Sequence, residues 1–157
     1  MVGLGTLLRI LLVAAWLSGC AANPKGAPFE LAAAPEQNLA TVYVYRLRTQ
    51  PILRTPYIEI NRQAIAALPI NSYTVVHLRP GTYDFRTSWG YMDGPMMNTG
   101  KRLALAANTA YYVRIDSVIG DIGAYQTTLA VQASTEPPPK IRDCSLIPAK
   151  PFDPEAR

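Results

Sequence analysis

The sequence predicts an all-β fold, a small antiparallel β-sandwich of about seven strands. Three observations predict it. Apolar and polar residues alternate with period two in segment after segment, tyrosine, valine, isoleucine and threonine dominate those segments, and short turn-forming stretches separate them. Successive side chains of a strand point to opposite faces, so alternation marks a strand with one buried and one wet face.

Thr41 to Leu47 (TVYVYRL) and Ser72 to Leu78 (SYTVVHL) are apolar on both faces, which suits central strands. Pro56 to Asn61 sets Ile58 and Ile60 against Tyr57 and Glu59. Asn61-Arg62 then suits a tight hairpin into Ala64, because asparagine tolerates left-handed backbone. In Arg79-Pro80-Gly81-Thr82, proline and glycine stand at the middle positions of a type II turn. Gly81 to Arg86 follows, with Tyr83 and Phe85 opposite Thr82, Asp84 and Arg86. Ala107-Asn108-Thr109 separates Leu103 to Leu105 from Tyr111 to Asp116, where Tyr111, Val113 and Ile115 oppose Tyr112, Arg114 and Asp116. Tyr125 to Gln132 completes the series, Leu129 and Val131 lying opposite Gln126, Thr128 and Gln132. Residues 40–134 are thus expected to form one domain, large enough for one core.

The flanks read differently. Met1 to Gly19 has one basic residue, Arg9, followed by the apolar run Ile10 to Leu17. That run is far short of the roughly 20 residues that span a bilayer as a helix, and has the size of a secretory signal's apolar core. Residues 20–39 are rich in alanine and proline and read as a flexible tether. Residues 135–157 hold six of the fourteen prolines, 137, 138, 139, 148, 151 and 154, so an extended or irregular tail is expected.

Leu17-Ser18-Gly19-Cys20 resembles the lipobox of bacterial lipoproteins, a leucine and two small residues before the modified cysteine. The resemblance implies cleavage between Gly19 and Cys20, a diacylglyceryl thioether on Cys20 and N-acylation of its new amino terminus. Because Ala21 and Ala22 follow, and no aspartate, it further implies the outer membrane, facing the periplasm. Acyl chains hold to a bilayer by about 0.8 kcal/mol per buried methylene, so several together make a permanent tether. A Cys20 so modified leaves Cys144 as a lone thiol. Without Arg9 the chain has 14 basic and 11 acidic residues, a net charge of +3, too mild and scattered for nucleic-acid binding.

Ala40 to Arg46 (ATVYVYR), Ile58 to Asn61 (IEIN), Leu68-Pro69, Ser72-Tyr73, Val75 to Leu78, Pro80 to Tyr83 (PGTY), Tyr111 to Arg114 (YYVR) and Ile141 to Cys144 (IRDC) together resemble a family of small bacterial lipoproteins with a domain of unknown function. The Leu-Pro and Pro-Gly-x-Tyr core also resembles PEGA-type modules, which are β-sandwiches of transthyretin-like shape. The resemblance implies a fold and an address, with no cofactor beyond the covalent lipid.

Catalytic signals are sparse. No Gly-x-Ser-x-Gly elbow or phosphate-cradling loop occurs, and His77 and Cys144 are too few for a zinc site. His77, between Val76 and Leu78, reads best as a hydrogen-bonded sheet histidine, and Cys144 as a packed or intermolecularly paired thiol. Asp116 and Asp121 flank Ser117 to Gly120, but two carboxylates alone make no calcium site. An envelope enzyme or small-ligand carrier using His77 and these carboxylates is the alternative to a non-catalytic binding domain. The best binding candidate is the stretch from Trp89 to Met97, whose Trp89, Tyr91, Met92, Met96 and Met97 are expected at the surface, where flexible methionines and flat aromatics suit an envelope protein or glycan. The competing reading has the loop fold back and plug an open end of the sandwich.

Overall fold

Each alternating segment becomes a strand. The computed structural model describes residues 26–32, 38–90, 98–119 and 125–154. In chain order the strands are β1 (Ala40–Arg46), β2 (Tyr57–Ile60), β3 (Gln63–Ala67), β4 (Ser72–Leu78), β5 (Gly81–Ser88), β6 (Thr99–Leu105), β7 (Ala110–Ile119), β8 (Tyr125–Ala133) and β9 (Ser145–Leu146), with a 3-10 helix over Pro139–Asp143 before β9. They form two sheets, β8-β7-β1-β4-β9 and β3-β2-β5-β6, so the fold is an all-β sandwich. The pairing is mostly antiparallel, but β1 runs parallel to β7 and β4 parallel to β9. The two strands apolar on both faces, β1 and β4, are indeed neighbours in the interior of the larger sheet. Ile58, Ile60, Phe85, Val113, Ile115 and Leu129 all enter the core between the sheets, as their alternation requires.

The turns show where local rules hold. Asn61 and Arg62 have φ of 49° and 70°, the positive values a two-residue hairpin needs. Gly81 departs from a type II turn: its φ is +156°, and it already pairs with Leu105 as the first residue of β5. The reason is topological, because β4 and β5 belong to different sheets and the chain must cross between them, not fold back on itself.

The flanks depart further from expectation, because residues 26–32 and 139–154 pack onto the sandwich. The Leu146 amide donates to the Ala27 carbonyl (2.8 Å), Pro28 bridges Ser145, and a Cβ at Gly26 would collide with the Leu146 carbonyl. Phe29 lies on Tyr43 and Tyr73, and Tyr43 stacks on Tyr112 at 5.0 Å. With Tyr45, Ile141 and Cys144 these rings form a second apolar cluster on the outer face of the larger sheet. Tyr112, expected on a wet face, is therefore buried. Beyond β9 the tail crosses to the other sheet, where the Lys150 amide donates to the Ile65 carbonyl and Gln63 exchanges two hydrogen bonds with the Asp153 backbone. Prolines exclude these stretches from a sheet interior but not from covering its edges.

The least ordinary core residue is Arg46, which follows Ala40, Val42 and Val44 on the inner face of β1 and is 0% exposed. Its Nη1 donates to the carbonyls of Arg54 (2.7 Å) and Leu68 (3.3 Å), and its Nη2 to those of Pro51 (2.7 Å) and Thr49 (3.3 Å). Among the described residues no carboxylate pairs with it. Burial pulls its pKa down to about 10, so it keeps its charge at neutral pH. Three of its four acceptors belong to the connection from β1 to β2, which therefore wraps around one guanidinium. Replacing Arg46 by methionine keeps much of the stem but strands those carbonyls, and should lower stability by about 3 kcal/mol in urea unfolding. A loss below about 1 kcal/mol would contradict this role.

Candidate functional site

Trp89 is not displayed to solvent. It is 6% exposed, and its ring lies over the Arg46 guanidinium, 5.1 Å from Cζ to ring centroid. The cation supplies a face-on partner that draws the indole inward, so Trp89 itself, expected at the surface, is buried against Arg46. Tyr91, Met92, Met96 and Met97 lie outside the described residues. At the neck of their loop the Trp89 amide donates to Asn98 Oδ1 (3.0 Å) and the Thr99 amide to Thr87 Oγ1 (3.3 Å).

Below that neck, on the outer face of the smaller sheet, lies an open groove of about 560 Å³. Register explains its floor. Gly100 of β6 sits opposite Arg86 of β5, which in turn sits opposite Glu59 of β2. The missing side chain at Gly100 leaves a notch, and a Cβ there would come within 3.2 Å of Arg86 Cγ. Ser88 Oγ donates to Glu59 Oε1 (2.7 Å), and Arg102 pairs with Asp84 at 3.1 Å. Arg86 lines the groove with no ion pair among the described residues, so the groove offers one free cation, two engaged carboxylates (Glu59 and Asp84) and several hydroxyls, while Lys101, paired with Phe85, alternates to the other face of β6 at its border. Such a surface can seat a carboxylate-bearing chain against Arg86, whose planar fork accommodates both oxygens. Alternation placed Glu59, Asp84 and Arg86 outward, but Gly100 carried no signal without the strand register.

The other candidates are scattered. His77 is exposed on β4, its Nδ1 3.3 Å from Thr41 Oγ1, a hydrogen-bonded sheet histidine. Asp116 pairs with Arg114 at 2.7 Å. Thr41, the partner of His77, is level with Ala110, so His77 and Asp116 stand six residues apart along the sheet, about 20 Å. Asp121, Gly19 and Cys20 lie outside the described residues. Cys144 is 2% exposed, its Sγ 3.8 Å from the Arg46 carbonyl, at the other end of β4 from His77. No cluster of three or more metal-ligating side chains occurs among the described residues. No protein-family model matches the chain, and no curated protein matches it.

Burial, with Asp143 adding to it, pushes the Cys144 thiol up to about 11 from an ordinary 9.0. The unfolded chain therefore loses this proton near pH 9 while the folded one keeps it. Stability is fully present below pH 9 and falls through about pH 11, by up to about 2 kcal/mol from this group. Thermal melts across that range should show a shallower decline for Cys144→Ala than for the native chain. Equal slopes, or rapid alkylation of Cys144 in the folded protein at pH 8, would contradict its burial.

Proposed function

We propose that the chain is a lipid-anchored protein of the bacterial cell envelope, whose sandwich binds a partner without catalysing a reaction. The anchor reading is supported by the apolar run Ile10 to Leu17 ending in Leu17-Ser18-Gly19-Cys20. Cys20, acylated on sulfur and nitrogen, holds the domain at the outer membrane, facing the periplasm. The small-lipoprotein resemblance agrees with an all-β domain behind such an anchor.

The observation that carries the binding reading is the groove along Gly100, with the unpaired cation of Arg86 on its floor. Its walls hold no histidine or cysteine, and its hydroxyls lie beside carboxylates and arginines, an arrangement that orients a polar chain. The partner that fits is a segment of an envelope protein carrying acidic side chains. Two small changes test this without touching the core. Gly100→Val fills the notch with a strand-favouring side chain, and Arg86→Glu reverses its charge. A photo-reactive residue at Thr99 should yield a discrete adduct in intact cells that both changes abolish, while the thermal midpoint stays within a few degrees. Adducts that survive both changes, or none at all, would refute the groove as the binding surface.

A further inference from the structure

We infer that β8 is the edge at which a second copy of this chain pairs antiparallel, so that the larger sheets of two molecules run on into one. Strand order leaves four sheet edges among the described residues, β8 and β9 in the larger sheet and β3 and β6 in the smaller. An open edge presents a row of unpaired amides and carbonyls, and proteins that do not pair there cover, shorten or charge it. Three of the four are treated in this way. β9 is two residues long and bridged by Pro28, β3 is covered by the tail at Lys150 and Asp153, and β6 carries Lys101 and Arg102. β8 is the exception. Tyr125–Ala133 (YQTTLAVQA) has nine residues with no charge, proline or glycine, and no described strand pairs with its outer edge.

The ladder fixes which groups that edge offers. The Ser134 amide donates to the Ala110 carbonyl (3.1 Å), and these residues stand opposite one another in the continued register of β7 and β8. Hydrogen-bonded and non-bonded pairs alternate along an antiparallel ladder, so the even-numbered residues of β8 bond to β7. The amides and carbonyls of Tyr125, Thr127, Leu129, Val131 and Ala133 therefore project from the open side. No hydrogen bond takes any of them up among the described residues. Thr127 and Leu129 are buried, so this edge belongs to the packed core and is not a loose ribbon.

The side chains along β8 select its own copy as the strand received. A foreign strand is chosen chiefly by charge, and β8 carries none with which to choose. A second β8 fits without that. Placed antiparallel about Leu129, the two strands set Thr127 opposite Val131 on the core side, with Gln126 opposite Gln132 and Thr128 opposite Ala130 on the outer side. No like charges meet, and the amides of Gln126 and Gln132 can donate to and accept from one another. A twofold axis through Leu129 repeats each of these pairs. The projecting groups of the two strands would exchange about ten hydrogen bonds, as many as an interface of standard size contains.

The test is made on the full chain in intact cells. Gln126 and Gln132 would form a non-hydrogen-bonded pair, whose side chains approach most closely. Gln126→Cys combined with Gln132→Cys should therefore give, on copper–phenanthroline oxidation, a disulfide-linked species of twice the chain's mass. Either change alone should give none, because residue 126 does not meet its own copy in this register. Adding Thr128→Lys and Ala130→Lys, both at exposed positions, sets like charges against each other across the seam. It should abolish the linked species while the thermal midpoint of the purified chain stays within a few degrees. The absence of a linked species, one whose mass is not twice the chain's, or equal yield from a single cysteine change overturns the pairing. So does a linked species that survives the lysines.

Discussion

A single buried cation organises one end of this molecule. Arg46 has no carboxylate to neutralise it among the described residues, and a lone charge in an apolar interior is costly unless its hydrogen-bonding capacity is used. Here four backbone carbonyls and the face of Trp89 perform that service. The dependence runs both ways. The carbonyls of Thr49, Pro51 and Arg54 would otherwise need other donors, and Trp89 would lose the cation on which it stacks. The β1–β2 connection, the β3–β4 connection and Trp89 at the end of β5 therefore share one anchor point.

The second constraint is the cladding of the larger sheet. Tyr43, Tyr45, Tyr73 and Tyr112 would be an exposed aromatic face without Phe29 and the 3-10 helix bearing Ile141. Burial raises the pKa of Tyr43 and Tyr112, as expected for phenols removed from water. The segments that provide the cover lie at either extremity of the chain, so sandwich and flanks form one folded unit. The proposed tether is correspondingly short, because residues 26–32 belong to the domain and not to a flexible linker.

Much of the sandwich was legible from alternation alone. Ile58 and Ile60, Phe85, and Val113 with Ile115 fall on the core face that period two assigns them, and the Asn61-Arg62 hairpin follows from its residue types. The parallel pairing of β1 and β7 was not legible, because alternation is blind to direction. Nor was the cladding, since Pro-rich stretches carry no periodicity from which to read a packed face. Arg46 could have been found: it continues the inward series Ala40, Val42, Val44, and a charge in that series signals a buried polar network. Trp89 was misplaced for the same reason, because its partner is that unanticipated guanidinium. The groove needed the pairing of Gly100 with Arg86, which no local pattern supplies.

These elements combine into a domain with distinct faces: a clad sheet whose β8 edge stays open, and a charged sheet with a notch. The proposal holds them at the membrane through the lipid on Cys20, and the intact mass of the protein isolated from cell membranes tests it most directly. The account predicts a polypeptide beginning at Cys20 that carries a diacylglyceryl group and an N-linked acyl chain, both confined to its N-terminal peptide. A chain that retains Met1 to Gly19, or begins at Cys20 with an unmodified thiol, would contradict it.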